Sequence, residues 1–368
     1  MSLLVAKLGS SSLVDGDGLL RESVIEDRVA ELCRLRHAGH HVLLVSSGAI
    51  AYGISRLGMH GRPSALPDLQ AASAVGQGAL FQQYERAFAL HDVLPAQVLL
   101  TSGDLQGRRS YVNARNTLQR LLALGTVPIL NENDTTATDE LVFGDNDVLA
   151  AQVAVLLRAR WLVLLTDREG LYGPGPDGPR LLGTVSIDVR PEEVELADMR
   201  DSGLGRGGVE SKIAAAGMAS AAGVDCVVAS ARADDVLGRV VAGEPAGTAF
   251  PARAGTESSF KLWLRHAKPS MGRVLVDAGA ARALERRGTS LLPVGVVACE
   301  GSFGVGDAVE VAEAVERRPV GKGIAALSAE EVRAVAGLQS EEARRRLPGA
   351  AEEVIHRDRF VLAAEAGP

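Results

Sequence analysis

Six short apolar runs constrain this chain more than any other feature. Residues 3–8, 41–45, 96–100, 127–130, 162–165 and 226–229 are mostly too continuously apolar for strands that keep one face in water. They read as strands buried on both faces of a sheet. Between them lie segments of helical character near 23–38, 69–90, 114–124, 147–159 and 210–222. Such alternation predicts an α/β fold, an open and mostly parallel sheet with helices on both faces. The pattern persists to about residue 250. Residues 251–271 then read as irregular and polar, and β-like runs at 273–276, 294–298 and 308–311 follow, punctuated by Gly and Pro. That texture predicts a small β-rich second domain.

The chain has 368 residues, enough for a large core and two domains. Its formal net charge of −7 argues against a broad nucleic-acid-binding surface. Cys33, Cys226 and Cys299 are far apart and form no CxxC pair, so they read as reduced thiols in a cytoplasmic protein. The N-terminal apolar run contains Lys7 and reads as a strand, not a signal peptide. No apolar run is long enough to predict a membrane span.

Polar residues gather at the carboxyl ends of the predicted strands, where open α/β sheets bind ligands. Asn131-Glu132-Asn133-Asp134 follows the fourth run, and Gly144-Asp145-Asn146-Asp147 comes ten residues later. Either block alone could be a surface loop with Asx turns; together they point to a held polar ligand. Lys7 interrupts the first strand just before Gly9-Ser10-Ser11, and the second strand ends in Ser46-Ser47-Gly48-Ala49-Ile50. Small-residue turns from strand into helix leave backbone N–H groups free for an anion. The fifth run ends in Thr166-Asp167. The run Gly203-Leu204-Gly205-Arg206-Gly207-Gly208 matches GxGxxG, but a polar segment precedes it, so the dinucleotide reading is weak. A glycine loop leading to Ser211 and Lys212 reads better as a cover over a polyphosphate. Two lysines, two amide-rich turns and an acid block suggest phosphoryl transfer, which needs positioning and charge more than a nucleophilic His or Cys.

With these motifs in this order, residues 1–257 resemble the glutamate 5-kinases of the amino-acid kinase superfamily. Residues 272–360 resemble the PUA domain appended to many bacterial members, on Arg273 to Val276 and Gly288-Thr289-Ser290-Leu291-Leu292-Pro293-Val294-Gly295. The resemblance implies a catalytic domain over 1–257, a linker over 258–271, a PUA-like domain over 272–360 and a tail over 361–368. It implies ATP-dependent phosphorylation of the side-chain carboxylate of L-glutamate, with Mg²⁺ and with proline as feedback inhibitor.

Carried over by residue, Lys7 and Lys212 would neutralise the transferring phosphoryl group, and Asp147 would orient them. Ser47, Asp134 and Asn146 would bind glutamate, with Gly48 in the turn and Asn131 nearby. Thr166, Asp167, Gly205, Arg206, Gly207, Gly208, Ser211, Lys212 and Lys7 would contact ATP. In that scheme Asp134 suits the ammonium of glutamate, while Asn146 and Ser47 donate to a carboxylate. Mg²⁺ binds largely through phosphates, so no protein metal ligand is expected. The glycine loop departs from the family at Arg206 and Ser211, where Thr is frequent.

The family also implies a homo-oligomer, a dimer or tetramer, and functional coupling to a glutamyl-phosphate reductase. Two rivals stand beside this reading. One is another kinase of the same fold, acting on acetylglutamate, aspartate, carbamate or UMP. The other is RNA binding through the C-terminal domain. Its 13 Lys/Arg against 15 Asp/Glu from residue 273 onward weigh against that, with Arg344-Arg345-Arg346 as the single basic cluster.

Overall fold

The computed structural model describes residues 2–105, 108–136, 146–175, 178–186, 208–253, 259–266, 268 and 270–363. Gly144, Asp145 and residues 203–207, which include Gly205, Arg206 and Gly207, lie outside them. The chain divides into two compact units, Met1–Ser259 and Phe260–Pro368.

The first unit contains β1 (Leu3–Leu8), α1 (Ser10–Leu13), α2 (Glu22–His37), β2 (His41–Val45), α3 (Ala49–Arg56), α4 (Leu66–Ala89) and β3 (Pro95–Leu100). It continues through α5 (Arg108–Ala123), β4 (Val127–Glu132), α6 (Asn146–Leu156), β5 (Trp161–Thr166), β6 (Tyr172–Gly173) and β7 (Arg180–Leu181). Then come α7 (Val209–Ala221), β8 (Asp225–Ser230), α8 (Val236–Ala242) and β9 (Thr248–Phe250).

Seven strands form one sheet in the order β3-β4-β2-β1-β5-β8-β9. All neighbours are parallel except β8 and β9. Every residue of β1 and β4 is buried, as a parallel sheet covered on both faces requires. The expectation of burial fails at β3, where Gln97 and Leu99 are exposed. That strand is the sheet edge, so its neighbours cover it from one side only.

Alternation along β1 sends Leu4, Ala6 and Leu8 into a core shared with Ile25, Val29 and Leu32 of α2, Leu80, Tyr84 and Phe88 of α4, and Val236 and Leu237 of α8. Lys7 therefore faces the opposite side, which α6 and α7 cover. The chain places β2, β4 and β3 to one side of β1 and β5, β8 and β9 to the other. This reversal at β1 opens a crevice beyond the carboxyl ends of β1 and its neighbours.

The second unit holds α9 (Ser259–His266), β10 (Ser270–Val276), α10 (Ala278–Arg287), β11 (Val296–Gly301), β12 (Ala308–Glu313), β13 (Pro319–Ala325), α11 (Ala329–Val335), α12 (Ser340–Arg346) and β14 (Ile355–Leu362). Its sheet runs β11-β10-β12-β13-β14 over its own core, which includes Val274, Val276, Val309, Val311, Val332 and Ile355. Helix α9 lies inside the stretch read as irregular, with Leu264 fully buried. Strands β13 and β14 escape a reading by apolar runs because glycines break β13 at Gly321 and Gly323. A side chain at either would collide with β14, at Val361 and Phe360 or at Ile355.

Candidate active site

The crevice gathers four strand ends. Lys7 pairs in register with Val45 on one side and Leu164 on the other. Leu130 lies beside Val45, and Thr166 ends β5 beside Ser230. The segments Lys7–Gly9, Ser46–Ala49, Asn131–Asp134 and Thr166–Asp167 therefore emerge on one sheet edge.

Three charged side chains meet there, all buried. Lys7 Nζ stands 2.6 Å from Asp147 Oδ1, and Lys212 Nζ stands 3.0 Å from Asp147 Oδ2. Asp147 is fully buried in the first turn of α6, where the helix dipole favours a carboxylate. Lys212 lies near the start of α7, where that dipole disfavours a cation, so Asp147 offsets both the burial and the dipole. Ser211 Oγ donates to Gly208 O at 3.0 Å and stands 3.5 Å from Asp147 Oδ2. One carboxylate between two ammonium groups leaves a buried triad of net charge +1.

Beside the triad runs a chain of carboxamides. Asn146 Nδ2 donates to Ser46 O at 2.5 Å and to Asn131 Oδ1 at 2.6 Å. Asn131 Oδ1 also accepts from Glu132 N at 2.9 Å, and Asn131 Nδ2 donates to Gln77 Oε1 at 2.5 Å. A backbone carbonyl anchors one end and a backbone N–H the other, so neither amide can be turned over without loss. Both hydrogens of the Asn146 amide are committed, and its carbonyl oxygen is the group left to a ligand. This corrects the expectation that Asn146 donates to a carboxylate: it presents an acceptor.

Ser46 Oγ completes the chain with a 2.9 Å hydrogen bond to Tyr84 OH. Burial pushes the Tyr84 phenol well above its usual range, so it stays neutral. Gly48 has φ of 92°, the left-handed conformation that Gly adopts freely, and turns the chain from β2 into α3. Ser47 is buried in that turn.

Asp134 accepts a 2.6 Å hydrogen bond from Ser73 Oγ. Burial raises its carboxyl pKa, while Ser73 and the charge of Arg62 pull it back. On the other side of the sheet centre, Thr166 Oγ1 donates to Asp167 Oδ1 at 3.1 Å. Among the described residues no group of three or more His, Cys, Asp or Glu could hold a metal ion.

Ser73, Gln77 and Tyr84 are absent from the sequence reading. All three lie on α4, and a signal was present. Gly76 and Gly78 sit in the interior of a long helix, a costly choice relative to Ala. At Gly76 the reason is contact: a Cβ there would meet Ala49 O at 1.9 Å, and one at Gly53 would meet Ala72 O at 1.8 Å. Helices α3 and α4 cross backbone to backbone at these two glycines.

Residues 2–230 match the amino acid kinase family, and residues 272–347 match the PUA domain. Glutamate 5-kinase of Ralstonia pickettii (strain 12J) is 44% identical over 98% of this chain and 96% of its own length. That of Burkholderia mallei (strain SAVP1) is 45% identical over 98% of this chain and 97% of its own. That of Halalkalibacterium halodurans is 40% identical over 98% and 96%. With the family match covering more than half of the chain and these relatives spanning nearly all of it, the chain belongs to the amino acid kinase family, among the glutamate 5-kinases, and carries a PUA domain.

Proposed function

We propose that the chain transfers the γ-phosphoryl group of ATP to the side-chain carboxylate of L-glutamate. The product is an acyl phosphate, the first intermediate of proline biosynthesis. The observation that carries this reading is the buried Lys7–Asp147–Lys212 triad beside the carboxamide chain and Asp134. The names of the full-length relatives support it.

A carboxylate oxygen of glutamate attacks the γ-phosphorus, the bond to the bridging oxygen breaks, and ADP leaves. Glutamate is already ionised at neutral pH, so no general base is needed. Catalysis then rests on position and charge. The net +1 triad offsets repulsion between two anionic reactants. Asp147 holds both ammonium groups in place and, paired twice, is not itself the base. Asp134 and the Asn146 carbonyl oxygen receive the ammonium of glutamate, and the Ser47–Gly48 turn faces a carboxylate. Thr166 and Asp167 contact the nucleotide, and Gly208 and Ser211 border its phosphates together with Gly205, Arg206 and Gly207. The donor set fits Mg²⁺ that arrives on the phosphates, since Asp147 is committed to two lysines. When bound, the ion would neutralise phosphate charge.

The proposal extends to proline as inhibitor, because its ammonium and carboxylate match those of glutamate. It also includes a dimer or tetramer, a cytoplasmic location and a reductase that consumes the labile acyl phosphate. Among the described residues no helix is long and apolar enough to cross a membrane. Nucleic acid is left out, since Arg273, Arg317, Arg318, Arg344 and Arg345 all ion-pair with glutamates of their own unit.

Purified protein with ATP and Mg²⁺ should release ADP and form hydroxamate with L-glutamate in the presence of hydroxylamine, and proline should suppress both. N-acetylglutamate, aspartate, carbamate and UMP should support little turnover. Turnover with one of those in place of glutamate would overturn the acceptor assignment.

A further inference from the structure

We infer that Gln77 and Ser73 of α4 are positioning residues that hold the acceptors of the glutamate site in place, a reading that rests on glutamate being the acceptor. Each touches a residue assigned to glutamate or to its support. Gln77 Oε1 accepts from Asn131 Nδ2, and Ser73 Oγ donates to Asp134 Oδ2. Gln77 ties down the Asn131 NH₂ group, while the Glu132 N–H fixes the oxygen that faces Asn146. That oxygen takes an Asn146 hydrogen, and Ser46 O takes the other. The result is an Asn146 carbonyl oxygen, and not an NH₂ group, offered to the ligand.

The Ser46 carbonyl and the Glu132 N–H fix the sense of the two amides, since reversal would set oxygen against oxygen at Ser46 and hydrogen against hydrogen at Glu132. Gln77 adds to this by taking an Asn131 hydrogen on its Oε1, which holds the plane of the Asn131 amide where Asn146 meets it. Ser73 acts in parallel on the other acceptor. It uses its one hydrogen on Asp134 Oδ2, which favours the ionised carboxylate against burial and fixes its plane. Both residues sit next to the glycine crossing: Ala72 and Gly76 of α4 touch Gly53 of α3, and Gly76 also touches Ala49. The distance from α4 to the Ser46–Ala49 turn is thereby held at backbone contact. An acceptor-lined pocket selects an ammonium, so these residues determine specificity between L-glutamate and glutarate, which differs only in lacking that ammonium.

The experiment compares kcat/KM for L-glutamate and glutarate in the parent, Gln77→Met, Gln77→Glu and Ser73→Ala, with melting temperature as a check on folding. Gln77→Met keeps the shape and removes the acceptor. Its preference for glutamate over glutarate should fall by about tenfold, the scale of one lost hydrogen bond with a misplaced partner, through the KM for glutamate. The KM for ATP should stay within about twofold of the parent's, since α4 meets the acceptor side of the crevice. Gln77→Glu restores an acceptor and should keep the preference within about threefold. Ser73→Ala should lower the preference in the same direction, and it carries the test should Gln77→Met fail to fold. An unchanged glutamate-to-glutarate ratio in both variants overturns the inference, as does a parallel loss of ATP affinity. A parent that does not phosphorylate glutamate overturns the underlying substrate reading, and this inference with it.

Discussion

Two glycines in one helix should respond to the same substitution with opposite signs. Gly78 and Gly76 both lie in α4. A methyl group at Gly78 would meet nothing within 4 Å. Gly78→Ala should therefore stabilise by about 0.4–1 kcal/mol, because Ala restricts the unfolded chain and favours helix. A methyl group at Gly76 would stand 1.9 Å from Ala49 O, 2.7 Å from Gly53 N and 2.9 Å from Ala49 C. These are backbone atoms, so no side chain can swing away. Reaching ordinary contact requires the helices to part by roughly 1.5 Å, and overpacking of this kind costs about 1–3 kcal/mol or more. The net for Gly76→Ala is destabilisation after the propensity gain is subtracted. In a unit of this size each kcal/mol moves the melting temperature by about 2–4 °C, so thermal scans should separate the variants clearly.

The functional effect should be larger than the thermal one. Parting α3 from α4 displaces the Ser46–Ala49 turn from Ser73 and Gln77. A misplacement of about 1 Å can cost on the order of 10²-fold in rate. Hydroxamate assays should show Gly76→Ala impaired by about that factor and Gly78→Ala near the parent. If Gly76→Ala proved as stable and as active as Gly78→Ala, the close crossing would not be what positions the site.

Three further outcomes follow from the charges. Lys7→Ala and Lys212→Ala should each lower kcat by about 10²–10³-fold, as loss of one charge-stabilising donor does. Each leaves Asp147 its other partner, whereas Asp147→Asn removes the carboxylate shared by two buried ammonium groups and should cost on the order of 3–5 kcal/mol in stability, read by denaturant or thermal unfolding. Asp134→Asn should abolish productive glutamate binding yet raise the melting temperature at pH 7. Burial lifts the Asp134 pKa above its ordinary 3.8, so the native state binds that proton more tightly than the unfolded chain. The parent therefore loses this contribution as pH rises from 3.8 through the raised value, whereas the variant, with no proton to lose there, does not. The stabilisation should be small below the ordinary carboxylate pKa and grow toward neutrality, and a constant difference across that range would refute it.

Much of this was legible because it follows from local pattern. Continuous apolar runs marked the central strands, and a lysine inside the first of them marked a charge that needed a partner. Alternation alone predicts that Lys7 and Leu8 face opposite sides. What escaped depends on distant backbone. The polarity of Asn146 is set by the carbonyl of Ser46, a hundred positions earlier. The exposure of β3 follows from its place at the sheet edge, which no run of six residues records. Helix α4 hid its contribution because Ser73 and Gln77 are ordinary helix residues, and only the neighbouring glycines hinted at a close approach.

In the proposed reaction, the same arrangement lets one crevice accept two anions. Two unit negative charges 4 Å apart repel by about 1 kcal/mol in water and by about 4 kcal/mol at the effective dielectric of a protein surface. Glutamate adds a difficulty, since its ammonium would be drawn to the phosphates and bring the wrong end forward. The site separates these tendencies in space. Positive charge is concentrated on Lys7 and Lys212, fixed by Asp147. Acceptors are concentrated on Asp134 and Asn146, fixed by α4 and the Ser46 carbonyl. In the proposed reaction the amino acid places its ammonium on the acceptors and its side-chain carboxylate toward the cations. Orientation then comes from having both kinds of group in one site, and the acceptors would be as decisive for rate as the lysines.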